Sequence, residues 1–205
     1  PTDRLDELAA DPAVVYVRAI RRVVTRPSAA KYLDAGPLTV EATAITNATA
    51  WQATGQTGAD VRVGIIDYFN GARWNTQVAS GEVPAAADTL CLDSIDDGFN
   101  DCPSGSIFDP DEEGHGNAVA EIIHDLAPSA QLYLGRGSSI SDSYRLIDWF
   151  AARGVRIVNR SLGSPYDGPG NGRGDLDDLA DYAVTKGITL INSAGNEGTG
   201  QYWRG

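Results

Sequence analysis

The run Glu113-Gly114-His115-Gly116-Asn117-Ala118-Val119-Ala120 places a histidine between two glycines, where an acidic loop gives way to an apolar helix. Glycines beside an imidazole remove side chains that would hold another segment away. Ala118, Val119, Ile122 and Ile123 then recur at helical spacing and mark the face the helix would bury. A histidine at such a helix start, its ring open to a cleft, suits proton transfer near neutral pH. A capping or packed histidine is the competing reading of this run taken alone. Upstream, Val61-Arg62-Val63-Gly64-Ile65-Ile66-Asp67 is a β-branched run ending in a carboxylate, the pattern of a buried parallel strand with an acid at its C-terminal tip. Sites in open α/β sheets are built along that edge. An Asp there can bind the outer ring nitrogen of a histidine, fixing its tautomer and stabilising the imidazolium.

Two more strand endings follow. Val155 to Ser161 runs into the small-residue edge Ser161-Leu162-Gly163, and Ile188 to Ser193 runs into Ala194-Gly195-Asn196-Glu197-Gly198. A side-chain amide such as Asn196 at a strand edge can donate to an oxyanion. Each ending is common alone; their order along one chain is specific.

In these blocks the chain resembles the subtilisin-like serine peptidases, a resemblance running from about Ala50 to the last residue. It implies an Asp-His-Ser endopeptidase in which Asp67 orients His115, and His115 is the general base and later the general acid. Asn196 would donate to the tetrahedral oxyanion. Ser161, Leu162 and Gly163 would offer backbone to an extended substrate, and Ala194 with Gly195 would wall the S1 pocket. The chain departs from the family pattern in its second residues. Tyr68-Phe69-Asn70-Gly71 follows the Asp where a small hydroxyl residue and glycine are usual. Asn117 stands where threonine is usual, and Glu121 where glycine is common.

The family's nucleophile lies in a Gly-Thr-Ser run opening a later helix, and none occurs in these 205 residues. Ser161 and Ser193 belong to strand edges; Ser104, Ser106, Ser138, Ser139, Ser141 and Ser143 belong to Gly- and Ser-rich loops and read as capping or solvated hydroxyls. The expectation is an N-terminal part of a divergent enzyme whose serine sits in a missing C-terminal segment. This chain alone is then expected to be inactive. The competing reading within the family is a subtilase-like binding module without catalysis. A flavodoxin- or receiver-type ligand domain would need neither the Gly-His-Gly helix start nor the Ala-Gly-Asn edge.

These residues require an α/β doubly wound parallel sheet, incomplete at its C-terminal end. The periodicities predict strands near 61–67, 130–135, 155–161 and 188–193, and helices near 115–125, 141–153 and 175–186. Residues 1–37 resemble the last helix and strand of an inhibitory prodomain followed by a linker, and 38–205 the start of the catalytic domain. Thr46-Asn47 is predicted to cap a short helix through Trp51, closed by Gly55.

A net charge of −12 argues against a nucleic-acid partner, whose phosphates demand a basic face. The 42% apolar content contains no uncharged run of membrane-spanning length. Cys91 and Cys102 lack the second pair that a zinc site needs and the spacing of a redox pair, so a disulfide in an exported protein is the expectation. The predicted location is secreted or cell-surface, with peptide or protein substrates. No cofactor is implied; calcium near Asp109, Asp111, Glu112 and Glu113 is a secondary candidate. His124 is predicted to face away from His115 and to be structural.

Overall fold

A computed structural model of the chain describes residues 10–12, 42–93, 100–102, 105–163 and 171–193. In chain order these form α1 (Ala42–Ile45), α2 (Ala48–Ala53), β1 (Arg62–Ile66), α3 (Gly71–Ser80), β2 (Asp88–Asp93) and β3 (Asn100–Asp101). Then come α4 (His115–Leu126), β4 (Gln131–Gly137), α5 (Ile140–Ala152), β5 (Ile157–Arg160), α6 (Asp175–Thr185) and β6 (Thr189–Asn192). The expected prodomain-like strand and linker lie outside the described residues, as do Ala194 to Gly198.

The strands form one sheet in the order β3-β2-β4-β1-β5-β6. Every neighbouring pair is parallel except the short β2–β3 hairpin. From β1 the chain goes to β2 on one side, and from β5 to β6 on the other. Neighbouring strands whose connections diverge leave a crevice beyond their C-terminal ends. Asp67 and Ser161 follow those two ends directly.

Alternation along β1 divides the core. Val63 and Ile65 join Phe69, Trp74, Ala120, Leu132 and Leu134 under α3 and α4. Ile66 joins Leu146, Phe150, Val158, Leu162 and Leu179 under α5 and α6. Helices on both faces make the sheet doubly wound. Gly64 is required on the second face, because a Cβ there would lie 2.8 Å from the Phe150 ring. That missing side chain lets α5 lie directly on the sheet.

The predicted strands and helices fall within two residues of the observed ones. Four elements lie outside these predictions: α1, α3, β2 and β3. Helix α3 carries few apolar residues to give a period, though Asn70 caps it by accepting from the Arg73 N–H at 2.9 Å. Strand β2, Asp-Thr-Leu-Cys-Leu-Asp, is polar at both ends and has only Leu90, Cys91 and Leu92 as an apolar run, so it does not stand out. Three expectations need correction. Ser141 and Ser143, expected in a loop, lie inside α5, where Ser143 is buried and donates to the Ser139 carbonyl at 3.2 Å. The short helix predicted after Asn47 runs on to Ala53, and Asn47 adopts a left-handed backbone (φ 61°) whose side chain makes no cap hydrogen bond. Along α4 the buried residues are Gly116, Asn117 and Ala120, with Val119 and Ile123 packed beside them, while Ile122 is 44% exposed. The helix is rotated so that an amide, Asn117, shares its core face.

Cys91 and Cys102 form a disulfide with Cα atoms 5.4 Å apart, tying β2 to the residue after β3. Closing this short loop restricts the unfolded chain. Replacing both cysteines by serine should lower the unfolding free energy in urea by about 3 kcal/mol. Thiol titration of the denatured, unreduced chain should find no free thiol.

Candidate active site

Strand β1 delivers Asp67 to the sheet edge, where the Asp67 N–H still donates to the Gly135 carbonyl at 3.0 Å. Its carboxylate is fully buried. Such a group must find donors, since removing a charge from water costs several kcal/mol. It finds two. The Tyr68 N–H donates to Oδ1 at 2.8 Å, and His115 Nδ1 lies 2.9 Å from Oδ1 and 3.0 Å from Oδ2.

His115 is the first residue of α4, and Gly114 before it takes a left-handed φ of 82° that favours glycine. The helix has no side-chain cap at this end. Instead the Gly116 N–H donates to the Tyr68 carbonyl at 2.9 Å, fastening the first turn to the segment after β1. A Cβ on Gly116 would stand 2.7 Å from the Tyr68 carbonyl oxygen and from the Phe69 ring, and 2.9 Å from Asp67 Cβ. The glycine after the histidine is therefore what lets the helix meet the strand end.

The electrostatics follow from this contact. The Asp67 hydrogen bond and charge raise the His115 pKa above its ordinary 6.5, against partial desolvation. Burial pushes the Asp67 carboxyl up, while His115, the Tyr68 N–H and the Arg160 charge pull it back. With Nδ1–H turned to the carboxylate, Nε2 is left as the basic nitrogen. The His115 side chain keeps 22% of its surface exposed. The pair can accept a proton at Nε2 and stabilise the resulting cation, which is the chemistry of a general base oriented by an acid.

A charged wall stands beside the pair. Arg136 lies over the Tyr68 ring, 5.1 Å from its centroid, and pairs with Asp109 at 3.2 Å and Glu112 at 3.7 Å. Burial, with the charges of Asp109, Asp67 and Glu113, raises the Glu112 carboxyl, and Arg136 opposes this. Among the described residues no group of three or more His, Cys, Asp or Glu side chains converges as a metal site would require. Asp109 and Glu112 turn to Arg136 instead.

Ser161, Leu162 and Gly163 leave the end of β5 beside this crevice. Ser161 accepts from the Asn159 amide at 2.9 Å, and Leu162 is fully buried. Beneath them lies Arg160, also fully buried, whose Nη1 donates to the Leu162 carbonyl at 3.0 Å and to Asn192 Oδ1 at 2.8 Å. The sequence reading missed this residue; a cation inside the run Val155 to Ser161 was the available signal, since buried arginines are kept by partners. Asn196, Ala194 and Gly195 lie outside the described residues. The second histidine, His124, sits on the far part of α4, with Nδ1 buried and without a hydrogen-bond partner among the described residues.

A family model described as the subtilase family matches residues 58–203, which span both strand ends and the histidine helix. The chain belongs to the subtilase family. Subtilisin DY of Bacillus licheniformis is 31% identical over 163 residues, covering 72% of this chain and 52% of that protein. An alkaline protease of Shouchella clausii is 26% identical over 213 residues, covering 96% of the chain and 47% of the relative. Among solved structures, an epidermin leader peptide processing serine protease from Staphylococcus aureus superposes with a TM-score of 0.60 at 19% identity, covering 87% of this chain and 47% of that one. This subtilase chain spans about half the length of the relatives it matches.

Two outcomes follow from the contact of Asp67 with His115. A histidine whose folded pKa is raised adds stability that is fully present below its ordinary 6.5 and lost as pH rises through the folded value. The difference in Tm between this chain and its His115→Gln variant should therefore shrink as pH rises from about 6 to about 9. A difference constant across that range would contradict the pairing. Gly116→Ala must push α4 off the strand end; unfolding should cost about 1–3 kcal/mol less, and the His115 titration should move down toward its ordinary value.

Proposed function

We infer that the whole protein is a subtilisin-type serine endopeptidase to which this chain contributes the base, its orienting acid and the oxyanion amide. The observation that carries this reading is the bond between the buried Asp67 carboxylate and His115 Nδ1, at the tip of β1 beside the crevice. His115 Nε2 takes the proton of a serine hydroxyl as it attacks the scissile carbonyl, and later returns it to the leaving amine. Asp67 stays ionised and stabilises the imidazolium. Asn196 donates to the tetrahedral oxyanion, and the backbone of Ser161 to Gly163 pairs with the extended substrate. Ala194 and Gly195 form a wall of the S1 pocket. The serine comes from a Gly-Thr-Ser segment outside these 205 residues, so this chain by itself is inactive.

Export to the outside of the cell accompanies this reading. The Cys91–Cys102 disulfide persists best in an oxidising compartment. No helix among the described residues is long and apolar enough to cross a membrane.

The test uses a longer protein that includes the serine segment. It should cleave peptides and react with an active-site-directed fluorophosphonate, whereas the 205-residue chain should not be labelled. His115→Ala should lower kcat by about 10⁴-fold or more, since triad members act as a unit. Asn196→Ala should lower it by about 10²–10³ with KM little changed, a magnitude taken from subtilisin itself rather than from this chain. An unaltered rate in His115→Ala would remove histidine from the role of base. Labelling of the short chain would reveal a nucleophile among its own serines.

A further inference from the structure

Three residues that depart from the family pattern, Asn70, Asn117 and Glu121, are joined through Gln77 in one chain of hydrogen bonds. Asn117 is fully buried on the first turn of α4, two residues after His115. Its Oδ1 accepts from the Asn70 N–H at 2.9 Å, and its Nδ2 donates to the Asn70 carbonyl at 3.2 Å. A side-chain amide here pairs with both backbone groups of one residue, as a neighbouring strand would. Nδ2 also donates to Gln77 Oε1 at 2.9 Å, and Gln77 Nε2 donates to Glu121 Oε1 at 2.6 Å.

The direction of this chain is dictated from its outer end. A carboxylate only accepts, so Gln77 must turn its NH₂ to Glu121 and its oxygen to Asn117. Asn117 must then present NH₂ to Gln77, which leaves its oxygen for the Asn70 N–H. Asn70 is itself fixed elsewhere: its side-chain oxygen caps α3, and its NH₂ donates to the carbonyls of Pro110 at 3.1 Å and Glu112 at 2.9 Å. The first turn of α4 is thereby held at two points to the segment following Asp67, by the Gly116 N–H on Tyr68 and by Asn117 on Asn70. A helix end without a cap leaves its first N–H groups unpaired within the helix and frays there. His115 is the first residue of that turn.

We propose that Asn117, oriented by Gln77 and Glu121, is a positioning residue that holds His115 Nδ1 on the Asp67 carboxylate. It touches neither the substrate nor the reacting atoms. The proposal rests on the reading of His115 as the base for its effect on rate, but not for its effect on the imidazole. The charges that face the ring, Asp67 and through it Glu112 and Arg160, are unchanged by the substitutions that test it.

The test is nitrogen-15 NMR of the imidazoles in the 205-residue chain, in a His124→Gln background that leaves His115 as the sole histidine. Asn117→Leu keeps the branched shape and heavy-atom count of the side chain, with slightly bulkier ends, and removes all three hydrogen bonds. The His115 titration should move down, and the neutral ring should lose its single tautomer, as the bond to Asp67 loosens. In the longer protein with its serine, kcat should fall about 10- to 100-fold with KM unchanged, the size expected when a reacting group drifts by about an ångström. Gln77→Leu, which leaves Asn117 its bonds to Asn70 but removes the group that orients it, should act in the same direction to a smaller degree and serves if Asn117→Leu does not fold. A fall in Tm with an unmoved His115 titration and unmoved kcat in these variants would overturn the proposal, leaving Asn117 a packing residue. Full activity in His115→Ala would overturn the base assignment while the imidazole titration still judges the clamp.

Discussion

Keeping a charged carboxylate at the dry end of a β-strand is the constraint that organises this molecule. Asp67 has no exposed surface, and a lone buried carboxylate would protonate or unfold its surroundings. Its charge is tolerable because donors converge on it from two segments, the Tyr68 N–H and the His115 ring. The acid and the histidine therefore stabilise each other's ionised forms. Whatever brings α4 to the end of β1 maintains both the fold and the chemistry.

What brings it there is backbone proximity allowed by small residues. Gly116 lets the first turn of α4 lie against Tyr68 and Phe69, and Gly64 lets α5 lie against the sheet on the other face. Phe69, Trp74 and Phe108 pack edge-on or tilted around the segment between β1 and α3, their ring centroids 5.8–6.5 Å apart. The strand tip is thus gripped from both sides. The amide chain from Glu121 to Asn70 supplies directionality, which apolar packing lacks.

Long-range charge is handled in the same local way. A chain of net charge −12 places two arginines around its site, each against specific acceptors. Arg136 sits between Tyr68, Asp109 and Glu112, and Arg160 lies under the edge of β5 on the Leu162 carbonyl and Asn192. Arg160 also joins the ends of β5 and β6, so the edge leading to Ser161 and the edge leading to Ser193 are braced by one guanidinium. The two charge-assisted hydrogen bonds of Nη1 offset part of its desolvation.

The alternation of apolar strand runs with helical patterns from Val61 onward was enough to name a doubly wound sheet. These patterns also placed an acid and a histidine on its edge, because buried strands and amphipathic helices leave local signatures. The flanking glycines of His115 were legible for the same reason: close approach demands glycine, wherever the partner comes from. Helix α3 and strand β2 were not legible, since elements with few apolar residues owe their form to the core they cover rather than to their own residues. Nor could the sequence reveal that Asn117 faces inward, or that Asn70, Gln77 and Glu121 belong with it. Those residues are far apart along the chain, and a side-chain amide has no preferred partner until the fold supplies one. The local sequence determined which elements form and where the reactive groups sit on them; only tertiary packing decided which polar atoms meet, because hydrogen-bond geometry depends on distances that no local pattern encodes.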